Sequence, residues 1–191
     1  MLALKGRIIG LCIGFVLIVV LALSGSAVSF ADSTTGTLTV NGGTLTEVNA
    51  TTPTPSVTLN GTDQTVTYTL AITATDATGS GNGWNLTITS TQFSTGGGTP
   101  KMLSTTASTI TGVTAVCVGG STCTNPTNSV TYPLTVPAGS TAPTAVEFFN
   151  AAVNSGMGKF TVTPTVSIAI PANTFAGTYT STITLAAVSG P

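Results

Sequence analysis

The chain has no histidine, and its 191 residues carry only four basic and five acidic side chains. Without histidine, Ser-His-Asp and Cys-His catalytic arrangements are excluded. The side chain that most often serves as general base or metal ligand is also missing. The carboxylates are Asp32, Glu47, Asp63, Asp76 and Glu147. All but Glu147 sit in or beside polar turns, and their spacing gives no sign of the paired carboxylates of a glycosidase. Asn60-Gly-Thr-Asp63 offers too few oxygens for a calcium loop. Basic patches are absent too. Beyond residue 31 only Lys101 and Lys159 stand against the five carboxylates, a net of −3. A nucleic-acid partner or an anionic membrane surface has no electrostatic support. The sequence therefore predicts a non-enzyme with no cofactor and no metal.

What the chain does have begins with its first 31 residues. Lys5 and Arg7 form a basic head, Ile8 to Leu23 is apolar and uncharged, and Ser29-Phe30-Ala31 precedes Asp32 as a small-x-small exit. That order is the pattern of a secretory signal peptide cleaved between Ala31 and Asp32. The apolar run falls just short of the roughly 17–25 residues of a retained anchor, the alternative reading. The expectation is export, with membrane contact only through the leader before cleavage. Cys12 leaves with that leader, and Leu11 before it does not suit lipid attachment. Cys117 and Cys123 remain, closely spaced around a Gly-Gly pair. In an exported chain such a pair reads as a disulfide, contributing about 2 kcal/mol by loop closure. Zinc would need more ligands than two thiols supply.

The dominant period from residue 36 onward is two. Val66, Tyr68, Leu70, Ile72 and Ala74 alternate with Thr and Ala. Trp84, Leu86 and Ile88 alternate with polar residues, as do Val130, Tyr132, Leu134 and Val136. A longer run covers Phe160 to Ile170, and the last runs from Tyr179 to Ala187. This is the signature of strands with one buried face. Pro164 cannot donate to a ladder and marks an edge or a bulge. Leu38-Thr-Val40, Asn41-Gly-Gly43 and Leu45 read as a hairpin. Ala145 to Val153 lacks the period and reads as a short helix or an irregular connection. The expected fold is all-β, an antiparallel, immunoglobulin-like β-sandwich with at most one short helix, in one domain over residues 32–191. Trp84, the only tryptophan, reads as a core aromatic by alternation, and an exposed platform for a sugar ring is the other reading.

Gly83-Trp84-Asn85-Leu86-Thr87-Ile88, followed by Gln92-Phe93, resembles the first signature of the WxL domain, a surface module of Gram-positive bacteria. Asn150-Ala-Ala-Val-Asn-Ser-Gly156-Met157-Gly158-Lys-Phe160 is similar to the family's Gly-Met-Gly segment. The tail from Ile170 through Tyr179 to Leu185 is similar to its closing strand. The resemblance covers roughly residues 36 to 188 and makes Trp84, Leu86, Gly156, Met157, Gly158 and Tyr179 the motif residues. One departure is plain: the family's second Trp-x-Leu, after the tyrosine, is replaced by Leu185-Ala-Ala-Val188. The resemblance implies a non-catalytic protein at the bacterial cell surface, associating non-covalently with peptidoglycan or another wall polymer, or with other surface proteins. No sorting signal, terminal anchor helix or lipidation site is expected to hold it. Thr-rich strands with open edges also fit a second reading, a structural subunit of a fibre or surface layer.

Overall fold

The computed structural model describes residues 36–49 and 52–191; the leader, Cys12 and the Ala31–Asp32 junction lie outside the described residues. Residues 40–191 make one compact unit, and residues 36–39, assigned apart from it, contain no regular structure. Ten strands follow in order: β1 (Leu45–Asn49), β2 (Gln64–Thr69), β3 (Ile72–Asp76), β4 (Trp84–Thr91), β5 (Ser108–Cys117), β6 (Leu134–Thr135), β7 (Ala138–Gly139), β8 (Val146–Ala151), β9 (Gly158–Ile170) and β10 (Ile183–Ser189). No helix occurs among the described residues. The strands form two mainly antiparallel sheets packed face to face, an all-β sandwich.

The first sheet has six strands and is organised by β9. One side of β9 pairs with β5, and the other with β2 and then β3. The period-two pattern of Gln64–Asp76 runs unbroken through both strands, with Val66, Tyr68, Leu70, Ile72 and Ala74 turned inward. Pro164 lies opposite the break between them: Thr69 pairs with Thr165 and Ile72 with Val162. Its carbonyl still accepts from Leu70 N–H at 3.2 Å. The proline therefore occupies a gap in an interior ladder, where its missing N–H leaves no unmet partner. It is not at a sheet edge. The bulge belongs to β5, where Thr111 is the extra residue between the Ile110–Val166 and Gly112–Thr165 pairs. That bulge hid β5 from the periodicity, because a two-against-one step moves inward residues to the other parity.

In the second sheet β4 is central. β10 pairs along one side; β8, and beyond it the parallel two-residue β7, pair along the other. The core between the sheets is filled by Ile72, Trp84, Leu86, Ile88, Ile110, Phe148, Phe160, Val162 and Val166, all at most 1% exposed. A second, smaller cluster joins Leu103, Ala107, Ile168 and Ile170, with Phe93 and Tyr179 packed on it.

Three expectations need correction. Ala145–Val153 is neither helical nor irregular: it contains β8. A bulge between the Leu86–Phe149 and Thr87–Glu147 pairs lets Phe148 and Phe149 both be buried, which erases the period. The hairpin at residues 38–45 does not form. Gly43 N–H donates instead to Ala77 O at 2.7 Å, and β1 pairs with β3. The stretch from Val130 to Val136 yields only β6, because Asn128 Oδ1 accepts from both Val130 N–H and Asn150 N–H and holds the first half out of a ladder.

Candidate functional site

Two of the motifs converge on one core position. Trp84 opens β4 and is fully buried, its ring 5.8 Å from that of Phe149. Its Nε1–H donates to Gly156 O at 2.9 Å. An indole donor buried without a partner would cost roughly 1–3 kcal/mol, so this bond sets where the tryptophan can sit. Gly156 holds a left-handed φ of 72°. A Cβ there would collide with the Ala151 methyl and lie 2.7 Å from Trp84 Nε1. Gly158, at φ 112°, would meet Cys123 Sγ at 3.0 Å. Glycine is required at both positions, because a left-handed backbone and a close neighbour coincide there. Met157 lies between them, partly buried, its carbonyl accepting from Thr124 N–H at 2.9 Å. Leu86, one pleat along from Trp84, is buried in the same cluster.

The Cys117–Cys123 disulfide is formed, with Cα atoms 6.0 Å apart. Both cysteines pack on the main core. The segment after Cys123 is bonded to the Gly-Met-Gly turn from both directions, since Gly156 N–H donates to Thr124 O at 2.8 Å. Trp84, Gly156, Met157, Gly158 and the disulfide thus form one continuous contact. The reading of Trp84 as an exposed sugar platform does not fit its complete burial.

Tyr179 lies elsewhere. The eight residues of β4 span roughly 25 Å at about 3.3 Å each, and Tyr179 is beyond the far end from Trp84. There Ser94 bridges to both Met102 and Thr180. Tyr179 packs on the smaller cluster with Phe93, and its hydroxyl donates to Phe175 O at 2.9 Å. The Gln92-Phe93 portion of the first signature belongs to this end, separate from Trp84 and Leu86. Sequence reasoning missed Phe175 and Lys101: the Lys101 ammonium sits 4.2 Å from the centroid of the exposed Phe175 ring. The residues are far apart in the chain, and no local pattern joins them.

A polar network was missed as well. Asn150, inside the quoted Gly-Met-Gly segment, accepts from Ser129 N–H and donates to Ser129 Oγ and Glu147 Oε1. Asn128 Oδ1 accepts from Asn150 N–H, and Tyr132 OH donates to Phe148 O at 2.6 Å. Burial pushes the Tyr132 phenol above its usual range, partly offset by the bond from Asn128. This network ties the segment after the disulfide to β8.

The carboxylates are dispersed among local tasks. Asp63 accepts from Ala172 N–H, Asp76 caps the turn at Thr78, and Glu147 belongs to the Asn150 network. Asn60 Oδ1 accepts from Thr62 N–H and Oγ1–H, so the Asn60–Asp63 turn closes on itself. Among the described residues no group of three or more His, Cys, Asp or Glu side chains gathers where a metal could be held.

The motif side chains Trp84 and Leu86 are thus packed inside a disulfide-pinned β-sandwich. The family model for the WxL domain, described as surface cell wall-binding, matches residues 34–191, and the chain belongs to that family. Neither a curated protein nor a solved structure matches it. The family is a cell-surface, cell wall-binding one and not a catalytic one. The departure in the tail is now visible in space. Ile183, Leu185 and Ala187 are the half-buried residues of β10, and Leu185 and Ala187 pair with Ile88 and Leu86. No aromatic fills that strand's inward face.

Proposed function

We propose that the protein is exported, loses residues 1–31 by cleavage after Ala31, and acts as a non-catalytic domain over residues 32–191 that holds to peptidoglycan without a covalent bond. The observation that carries this reading is the wall-binding family match over residues 34–191. The scarcity of groups able to do chemistry in the sequence agrees with it. In this reading the Trp84–Gly156 contact keeps the sandwich in shape and does not itself touch the wall. Co-sedimentation with purified cell walls is the test. Recovery in the pellet, with release by denaturant alone, supports the proposal; full recovery in the supernatant defeats it.

One observation favours the second reading, a subunit of a fibre or surface layer. Among the described residues β6 pairs only with Thr109 and Ile110 of β5, so residues 112–117 have β9 as their one strand partner there, and Val116 is 64% exposed. Such an edge can pair with a strand of another molecule. Electron microscopy of concentrated protein distinguishes the two: filaments or sheets support this reading, dispersed particles oppose it.

A further inference from the structure

Among the described residues Phe175, 61% exposed, is the one aromatic side chain left open to solvent. It is not a loose loop residue. Tyr179 OH donates to its carbonyl, Thr174 N–H closes a turn on Pro171 O, and Ala172 N–H is held by Asp63 Oδ1. Its companion Lys101 is fixed at the backbone by two bonds to Thr95: Lys101 N–H donates to Thr95 Oγ1, and Thr95 N–H donates to Lys101 O. An exposed ring and an ammonium 4.2 Å from its centroid therefore stand together at the end of the sandwich away from Trp84.

We propose that this Phe175–Lys101 patch is where the domain contacts the wall, and that its ligand is the glycan strand of peptidoglycan. The proposal rests on the wall-binding reading above and assigns it a place. A pyranose ring presents a flat face of axial C–H bonds, whose burial on a phenyl ring removes apolar surface from water. Its hydroxyl, amide and carboxyl oxygens accept hydrogen bonds, and the Lys101 ammonium offers three donors and no acceptor. Holding both groups before binding spares the ordering cost that a mobile loop would carry. Charge favours this ligand over a polyphosphate. The chain beyond residue 31 has a net charge of −3, Lys101 is one of its two cations, and the Asp63 carboxylate lies under the same loop. One cation matches a sugar bearing an isolated carboxylate better than a string of phosphates.

The test is co-sedimentation of the purified protein with peptidoglycan sacculi stripped of phosphate-containing polymers, beside unstripped walls. The parent is expected to pellet with stripped sacculi. Phe175→Ala is expected to weaken apparent affinity at least about tenfold, Lys101→Gln about threefold, and Phe175→Trp is expected to retain it. All three should melt with the parent, because the ring is exposed. If the parent binds and Phe175→Ala binds equally, the patch is wrong while the function stands. If binding needs the phosphate polymer, the glycan assignment is wrong. If the parent binds no wall at all, the proposed function fails and this patch with it.

Discussion

The indole N–H of Trp84 and the carbonyl of Gly156 meet at 2.9 Å across 72 residues of sequence. This bond joins the start of β4 to the turn before β9, and so joins one sheet to the other. It also separates two consequences of changing Trp84. Trp84→Phe keeps most of the apolar bulk and leaves the buried Gly156 carbonyl without its donor, a loss of about 1–3 kcal/mol. Trp84→Ala also opens a cavity and is expected to lose about 3–5 kcal/mol. Chemical denaturation of both variants measures the two steps.

Gly156 is the reciprocal half of that contact. Gly156→Ala forces a methyl against Ala151 and Trp84 at a left-handed φ. A destabilisation of about 2–4 kcal/mol is expected from the sum of backbone strain and overpacking. Gly112→Ala is the control: a Cβ there meets nothing within 4 Å, and the change should stay within about 0.5 kcal/mol. Equal midpoints for the two variants would show that the turn yields at no cost.

The disulfide closes a loop with a sequence separation of 6 and lies against Gly158. Its removal by Cys117→Ser with Cys123→Ser is expected to cost about 2 kcal/mol, the loop-closure share for so short a ring. Guanidinium unfolding of the parent with and without reductant should reproduce that difference. The double variant should show none.

Alkaline pH should destabilise the fold through Tyr68. Burial pushes its phenol up to about 12 from the usual 10. The unfolded chain therefore releases this proton first, and between those values the folded state binds more protons than the unfolded one. The stability this provides is complete below pH 10 and is lost as pH rises toward 12. Tyr132, raised by burial in the same direction, adds to the effect. Melting temperature should fall over that window, and Tyr68→Phe should flatten the fall. A parent and variant with parallel profiles would contradict it.

Much of the sandwich was legible because alternation survives wherever a strand is regular. Residues 64–76, 84–88 and 160–170 have the inward set that their pattern gave, even across Pro164. It was not legible where geometry breaks parity. Thr111 in β5 and Phe148 in β8 are each the extra residue of a bulge, and each shifts the inward register within its strand. The Asn128–Asn150 bonds show another limit: they hold residues 128–133 as irregular backbone although Val130 and Tyr132 alternate like a strand. The disulfide was readable from a closely spaced cysteine pair behind an export-type leader. The contact of Trp84 with Gly156 was not, since nothing local to either segment encodes their meeting. The same holds for Lys101 and Phe175.

Trp84 is the only tryptophan, so its fluorescence reports on one site. The central claim is that the Trp-x-Leu segment holds the fold together and the wall is gripped elsewhere. Acrylamide quenching of the protein, free and bound to peptidoglycan, tests it most directly. Weak quenching that does not change when the protein pellets with the wall is the expected result. Strong quenching in the free protein that disappears on binding would place Trp84 at the contact and contradict the account.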